Sequence, residues 1–118
     1  MPKSTPEEKT ARNEAIEEAY QHATSVPFHT AEFCLKALRL CQKIAHKGNP
    51  ASVSDAGVGA LAAETGVTGA IMNVLINMPN IKSQEFKSDL LSKIDELQNE
   101  AKRLKEETTQ FVFDKIGI

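Results

Sequence analysis

The chain has 118 residues, room for one domain with one core and too few for two. Apolar residues at 41% and charged residues at 25% are the proportions of a soluble globular protein. A net charge of −2, with no basic patch or arginine cluster, argues against nucleic acid as a partner, and Met1-Pro2-Lys3-Ser4 opens no apolar signal-peptide stretch.

The first predicted helix opens at Thr5-Pro6-Glu7-Glu8, where Thr5 suits the N-cap, Pro6 the first helical position and Glu8 a capping box. Ala11, Ala15, Ile16, Ala19, Tyr20 and Ala23 follow at helical spacing, a mostly alanine side that lets a neighbour approach closely. Pro27 interrupts the pattern, and Ser25 is the expected cap of a second helix. That helix runs to about Lys47, with Gly48 as its stop. Phe28, Ala31, Leu35, Leu38 and Ala45 form its stripe. Phe33, Ala37, Leu40, Cys41 and Ile44 widen it enough to predict more than one neighbour. Cys34 and Cys41 lie seven apart on this helix, about 10 Å at 1.5 Å per residue, too far for a disulfide. Free thiols fit a reducing, cytoplasmic location.

The third helix starts near Ser52 or Ser54 and stops around Pro79. Between residues 56 and 78 it carries one formal charge, Glu64, and four glycines: Gly57, Gly59, Gly66 and Gly69. Each interior glycine costs roughly 1 kcal/mol relative to alanine, so close helix approach or backbone against a ligand must offset about 4 kcal/mol. Asp55, Gly59, Ala62 or Ala63, Gly66, Ala70, Asn73 and Asn77 share one stripe. It is bare in the middle, with a carboxylate at its start and two amides at its end. Tight packing accounts for the small residues. The asparagines require either a structural polar network or a ligand with donor and acceptor edges. Ser52-Val53-Ser54-Asp55 reads either as a capping box or as a site in which the anionic Asp55 holds a cation or accepts a proton. A membrane span over residues 56–78 has adequate length, but Glu64, Asn73, Asn77 and the glycines weigh against it, and no basic flank or aromatic belt accompanies it.

The fourth helix starts near Ser83. Leu90, Ile94, Leu97, Ala101, Leu104, Thr108 and Phe111 repeat at spacings of three and four, the seam of a helical bundle. No alternating strand pattern of useful length occurs. The expected architecture is all-α, an up-and-down bundle of about four long helices over residues 1–118. Its core is thin in aromatics, which predicts a homodimer or higher oligomer through the glycine-rich helix. His22, His29 and His46 are scattered, none at metal spacing, so no metal site is expected.

Several of these residues carry a family resemblance. Gly48-Asn49, Ser54-Asp55, Glu64-Thr65-Gly66-Val67-Thr68-Gly69-Ala70 and Asn73-Val74-Leu75-Ile76-Asn77 resemble the cyclodeaminase domain of formiminotransferase-cyclodeaminase. The opening Glu8-Lys9-x-x-Arg12 and the Val26-Pro27 junction match as well. That family also contains bacterial methenyltetrahydrofolate cyclohydrolases. The resemblance implies a dimeric helical protein acting on a tetrahydrofolate derivative without a metal. It would close 5-formiminotetrahydrofolate to the 5,10-methenyl form with loss of ammonia, or add water to the methenyl form. It also implies a catalytic role for Asp55 beside a cationic one-carbon bridge, and substrate binding by Asn49, Ser54, Asn73 and Asn77. Family members carry further helices upstream. This chain then corresponds to the C-terminal part of the domain, with a second chain as one possible source of those helices. A truncated, non-catalytic dimerisation module is the alternative.

Overall fold

A computed structural model describes residues 5–117, so the N-terminal Met1 to Ser4 stretch lies outside the described residues. Three helices account for nearly all of it, and no strand occurs among the described residues: α1 (Pro6–Lys47), α2 (Val53–Leu75) and α3 (Gln84–Ile116). The all-α, up-and-down class holds, with three helices rather than four.

The difference lies at Pro27, which sits inside α1 instead of ending it. Its ring removes the donor that the Ala23 carbonyl would meet and crowds that turn. Side-chain hydroxyls take up carbonyls around the proline: Thr24 Oγ1 donates to Gln21 O and Ser25 Oγ to His22 O, both at 2.7 Å, and Thr30 Oγ1 donates to Val26 O at 3.1 Å. Ser25 is therefore an interior residue and not a cap. The buried stripe also keeps phase across the proline, through Thr24, Phe28, Ala31, Leu35 and Leu38. Packing that continues on both sides outweighs the roughly 3 kcal/mol helix penalty of proline.

The helix ends follow local chemistry. Thr5 Oγ1 accepts the Glu8 N–H at 3.1 Å, and Ser83 Oγ accepts that of Phe86 at 3.2 Å. Gly48 ends α1 at φ −83°, with its N–H on Ile44 O. Glycine is needed there for space, because a Cβ would stand 2.5 Å from that same carbonyl oxygen. The start of α2 departs from expectation. A 3₁₀ turn, Pro50–Ser52, precedes it, and Asn49 Oδ1 accepts the Ala51 N–H at 3.0 Å. Ser52, at φ −106° and ψ 13°, makes no side-chain cap bond, so the Ser52–Asp55 capping box does not form. An N-cap hydroxyl needs an extended backbone to reach forward, and the 3₁₀ turn holds Ser52 close to helical. The α-helix then ends at Leu75, and a second 3₁₀ turn, Met78–Asn80, leads to α3.

α2 runs antiparallel to α1 and α3, which are parallel neighbours. Arg39 grips Glu100 through two bonds of 2.7 and 3.1 Å, and the His46 and Phe111 rings lie 3.8 Å apart. The α3 seam buries Leu90, Ile94, Leu97, Ala101, Leu104 and Thr108, then passes to Val112, leaving Phe111 half-buried on His46. The Cys34 sulfur covers Gly66, the Cys41 sulfur covers Gly59, and Val112 covers Gly57. Close approach thus accounts for three of the α2 glycines. A Cβ at Gly69 would meet nothing within 4 Å.

Candidate functional site

The residues singled out for chemistry lie at the two ends of α2. At its start, Asn49, Ser54 and Asp55 are exposed. The Asn49 amide oxygen is already engaged with the 3₁₀ turn, which leaves its NH₂ outward. Asp55 stands in the first turn of the helix, where backbone N–H groups favour an anion.

At the other end Asn73 is exposed and Asn77 half-buried. Asn77 Nδ2 donates to the Asn73 backbone oxygen at 3.1 Å, a local bond that fixes the Asn77 side chain along the helix. Its amide oxygen and the whole Asn73 amide then present donor and acceptor edges outward. Asp55 and Asn73 are eighteen residues apart on one straight element, about 27 Å at 1.5 Å per residue. The fold therefore does not bring the carboxylate and the amides together within one copy. The middle of the predicted stripe serves packing instead, with Gly59 and Gly66 under the α1 cysteines and Ala70 buried.

Burial pushes the Cys41 thiol up, which suits a packing role better than nucleophilic chemistry. No group of His, Cys, Asp and Glu among the described residues is arranged to hold a metal ion. A depression of about 150 Å³ lies beside Asn49, lined by His46, Gly48, Pro50, Val53, Phe111 and their neighbours, but Asn49 and Asp55 do not line it.

One polar centre escaped the sequence pattern. Glu17 accepts the Lys82 N–H at 2.8 Å, the Ser83 N–H at 3.2 Å and the Gln21 amide at 2.9 Å. The Lys82 backbone bond, then that from Gln21, holds its carboxyl below the usual carboxylate range. It ties the α2–α3 connection to the middle of α1. Its two backbone partners lie more than sixty residues away, and no side-chain motif announces them.

A family model described as Formiminotransferase-cyclodeaminase matches residues 1–96. The chain is 36% identical over 117 residues to the methenyltetrahydrofolate cyclohydrolase of Methylorubrum extorquens, covering 99% of this chain and 56% of that protein. It is 41% identical over 102 residues to the formimidoyltransferase-cyclodeaminase of Mus musculus, covering 86% of this chain and 19% of that one. The corresponding protein of Dictyostelium discoideum is 33% identical over 90 residues, covering 76% of this chain and 17% of its own length. The chain thus spans about half the length of the bacterial relative and under a fifth of the others.

Proposed function

The chain belongs to the formiminotransferase-cyclodeaminase family, and from that membership we propose that it works in folate one-carbon metabolism. The reaction proposed is cyclodeaminase-type: ring closure of a formiminotetrahydrofolate with release of ammonia. The family match over residues 1–96, with 41% identity to a formimidoyltransferase-cyclodeaminase, carries this reading. The reaction develops a cationic one-carbon bridge. The Asp55 carboxylate, in the first turn of α2, would stabilise that cation. Asn73 and Asn77 would meet the donor and acceptor edges of the pterin, with Asn49 and Ser54 near the carboxylate. A second reading, water addition to the methenyl form, is favoured by one observation: the match to the cyclohydrolase runs through 99% of this chain.

The protein in this proposal is a cytoplasmic homodimer, its Cys34 and Cys41 thiols free. The upstream helices of the family complete its pocket, on the same or a second chain. Calorimetric titration with folinic acid tests the reading. The folded chain, supplied with those upstream helices, should give saturable heat that Asn77→Ala removes, and a folded complex that gives none refutes it. Absorbance at the methenyltetrahydrofolate band, with formimino- or methenyl-folate supplied, then separates the two reactions.

A further inference from the structure

Where α1 and α3 stop and α2 starts, the bundle is closed by the His46 ring stacked on Phe111. The long outer side of α2 is open, with Val58, Leu61, Met72 and Ile76 each at least half exposed, whereas this end encloses space. Its depression of about 150 Å³ is smaller and far more enclosed than the grooves along the helices. The floor is apolar: Ala45 from α1, Pro50 from the turn, Val53 from α2 and the Phe111 ring from α3. His46 and Lys115 complete the wall, and no carboxylate lines it.

Basic residues at this end have a simple electrostatic use. The last carbonyls of α1 and α3 both point there, and His46, Lys47 and Lys115 occupy those last turns. That use accounts for their presence but not for where Lys115 goes. Its Nζ lies 5.5 Å from the centre of the Phe111 ring. Neither it nor His46 has a hydrogen bond or ion pair among the described residues. The ammonium therefore keeps its N–H donors, and the imidazole keeps one in either tautomer. An apolar hollow walled by free donors and no acid is complementary to an anion with a short apolar stem.

Size narrows the class. A water occupies about 30 Å³ of liquid, so the hollow admits about five or six non-hydrogen atoms. That excludes a bicyclic ring such as a pterin and suits a carboxylate on a short carbon stem. Phe111 and Lys115 also lie beyond residue 96, so part of this wall is outside the matched family pattern.

We infer that this pocket binds the carboxylate end of a small acid. The stem rests on Ala45, Val53 and the Phe111 ring, and the carboxylate accepts from Lys115 Nζ and the His46 N–H. The acid is either free or the glutamyl end of a folate; only the second source rests on the folate reading.

Proton NMR of the imidazole signals tests the site, since three histidines are few enough to assign with the help of His46→Gln. Sodium butyrate, titrated into the full chain against sodium chloride at equal ionic strength, should move the His46 signal to saturation in the millimolar range. The His22 and His29 signals should stay in place. Butyramide, of the same shape without the charge, should move none. Lys115→Met keeps the stem, removes the charge and should weaken butyrate about tenfold, with unchanged helical circular dichroism. Lys47→Met makes the same charge change on a residue that does not line the pocket, and should leave butyrate binding unchanged. A His46 signal that does not move, one that moves equally with butyramide, or equal losses for Lys47→Met and Lys115→Met overturns the site. With the upstream helices supplied, folinic acid that displaces butyrate assigns the pocket to the glutamyl end, and folinic acid that binds beside it assigns a free acid. Folinic acid that binds nowhere while butyrate still binds removes the folate reading and leaves the pocket standing.

Discussion

Gly66→Ala sets helix propensity against space in a single methyl group. Alanine is favoured over glycine by about 1 kcal/mol in a helix interior, so with room available the change would stabilise. The added Cβ would instead stand 2.7 Å from the Cys34 sulfur and 3.5 Å from its Cβ. The sulfur has one rotatable bond with which to escape, between two packed helices. Overfilling such a contact costs about 1–3 kcal/mol, so the net expectation is a loss of about 1 kcal/mol. In a Cys34→Ala background the obstruction is gone, and Gly66→Ala should stabilise by about 1 kcal/mol. Urea unfolding of the four proteins at one concentration closes the cycle, with a predicted coupling near 2 kcal/mol. Equal stabilisation by Gly66→Ala in both backgrounds, a coupling of zero, would mean that α1 and α2 do not touch there.

Thr108 is fully buried on the α3 seam and its hydroxyl has no partner among the described residues, so Thr108→Val should stabilise by about 1 kcal/mol in the same unfolding assay. A loss would reveal a hydrogen bond to that hydroxyl. Glu17, with its carboxyl held below the ordinary value of 4.5, stabilises the fold above that pH. The contribution is lost as pH falls through the depressed folded value. Thermal melts of wild type and Glu17→Gln should therefore differ at pH 7 and converge in acid below 4.5; a constant gap would contradict the assignment. Pro27→Ala should raise stability by up to about 3 kcal/mol, since the helix already runs through this position. Destabilisation would show that the core needs the local distortion that proline imposes.

Much of this architecture was legible in the residues. Thr5, Gly48 and Ser83 act at helix ends through short-range chemistry, and the α3 seam follows its heptads to Thr108. Of the two readings the α2 glycines leave open, close helix approach or backbone against a ligand, close approach holds for three of them. Pro27 misled because helix propensity is local, whereas the stripe through Thr24, Phe28 and Ala31 that overrides it is secured by other helices. Ser52 misled because a 3₁₀ turn of three residues changed its backbone angles. The candidate site was legible as residue types but not as geometry. A stripe on a helical wheel compresses the axis, and Asp55 and Asn77 share a side while standing six turns apart.

The two apolar sides of α2 bear on how the chain is made. A ribosome delivers α1 and α2 first, joined by a short turn, so the hairpin can close while α3 is still being synthesised. At that moment α2 is bare on two opposite sides, one awaiting Ile94, Leu97 and Leu104, the other awaiting whatever lies beyond the monomer. Synthesis of α3 closes only the first. A nascent chain halted before residue 84 would have a sticky surface with nothing to arrest its growth, the condition under which partly folded chains aggregate. The rate at which α3 emerges, more than the final stability, would then set the yield of soluble protein.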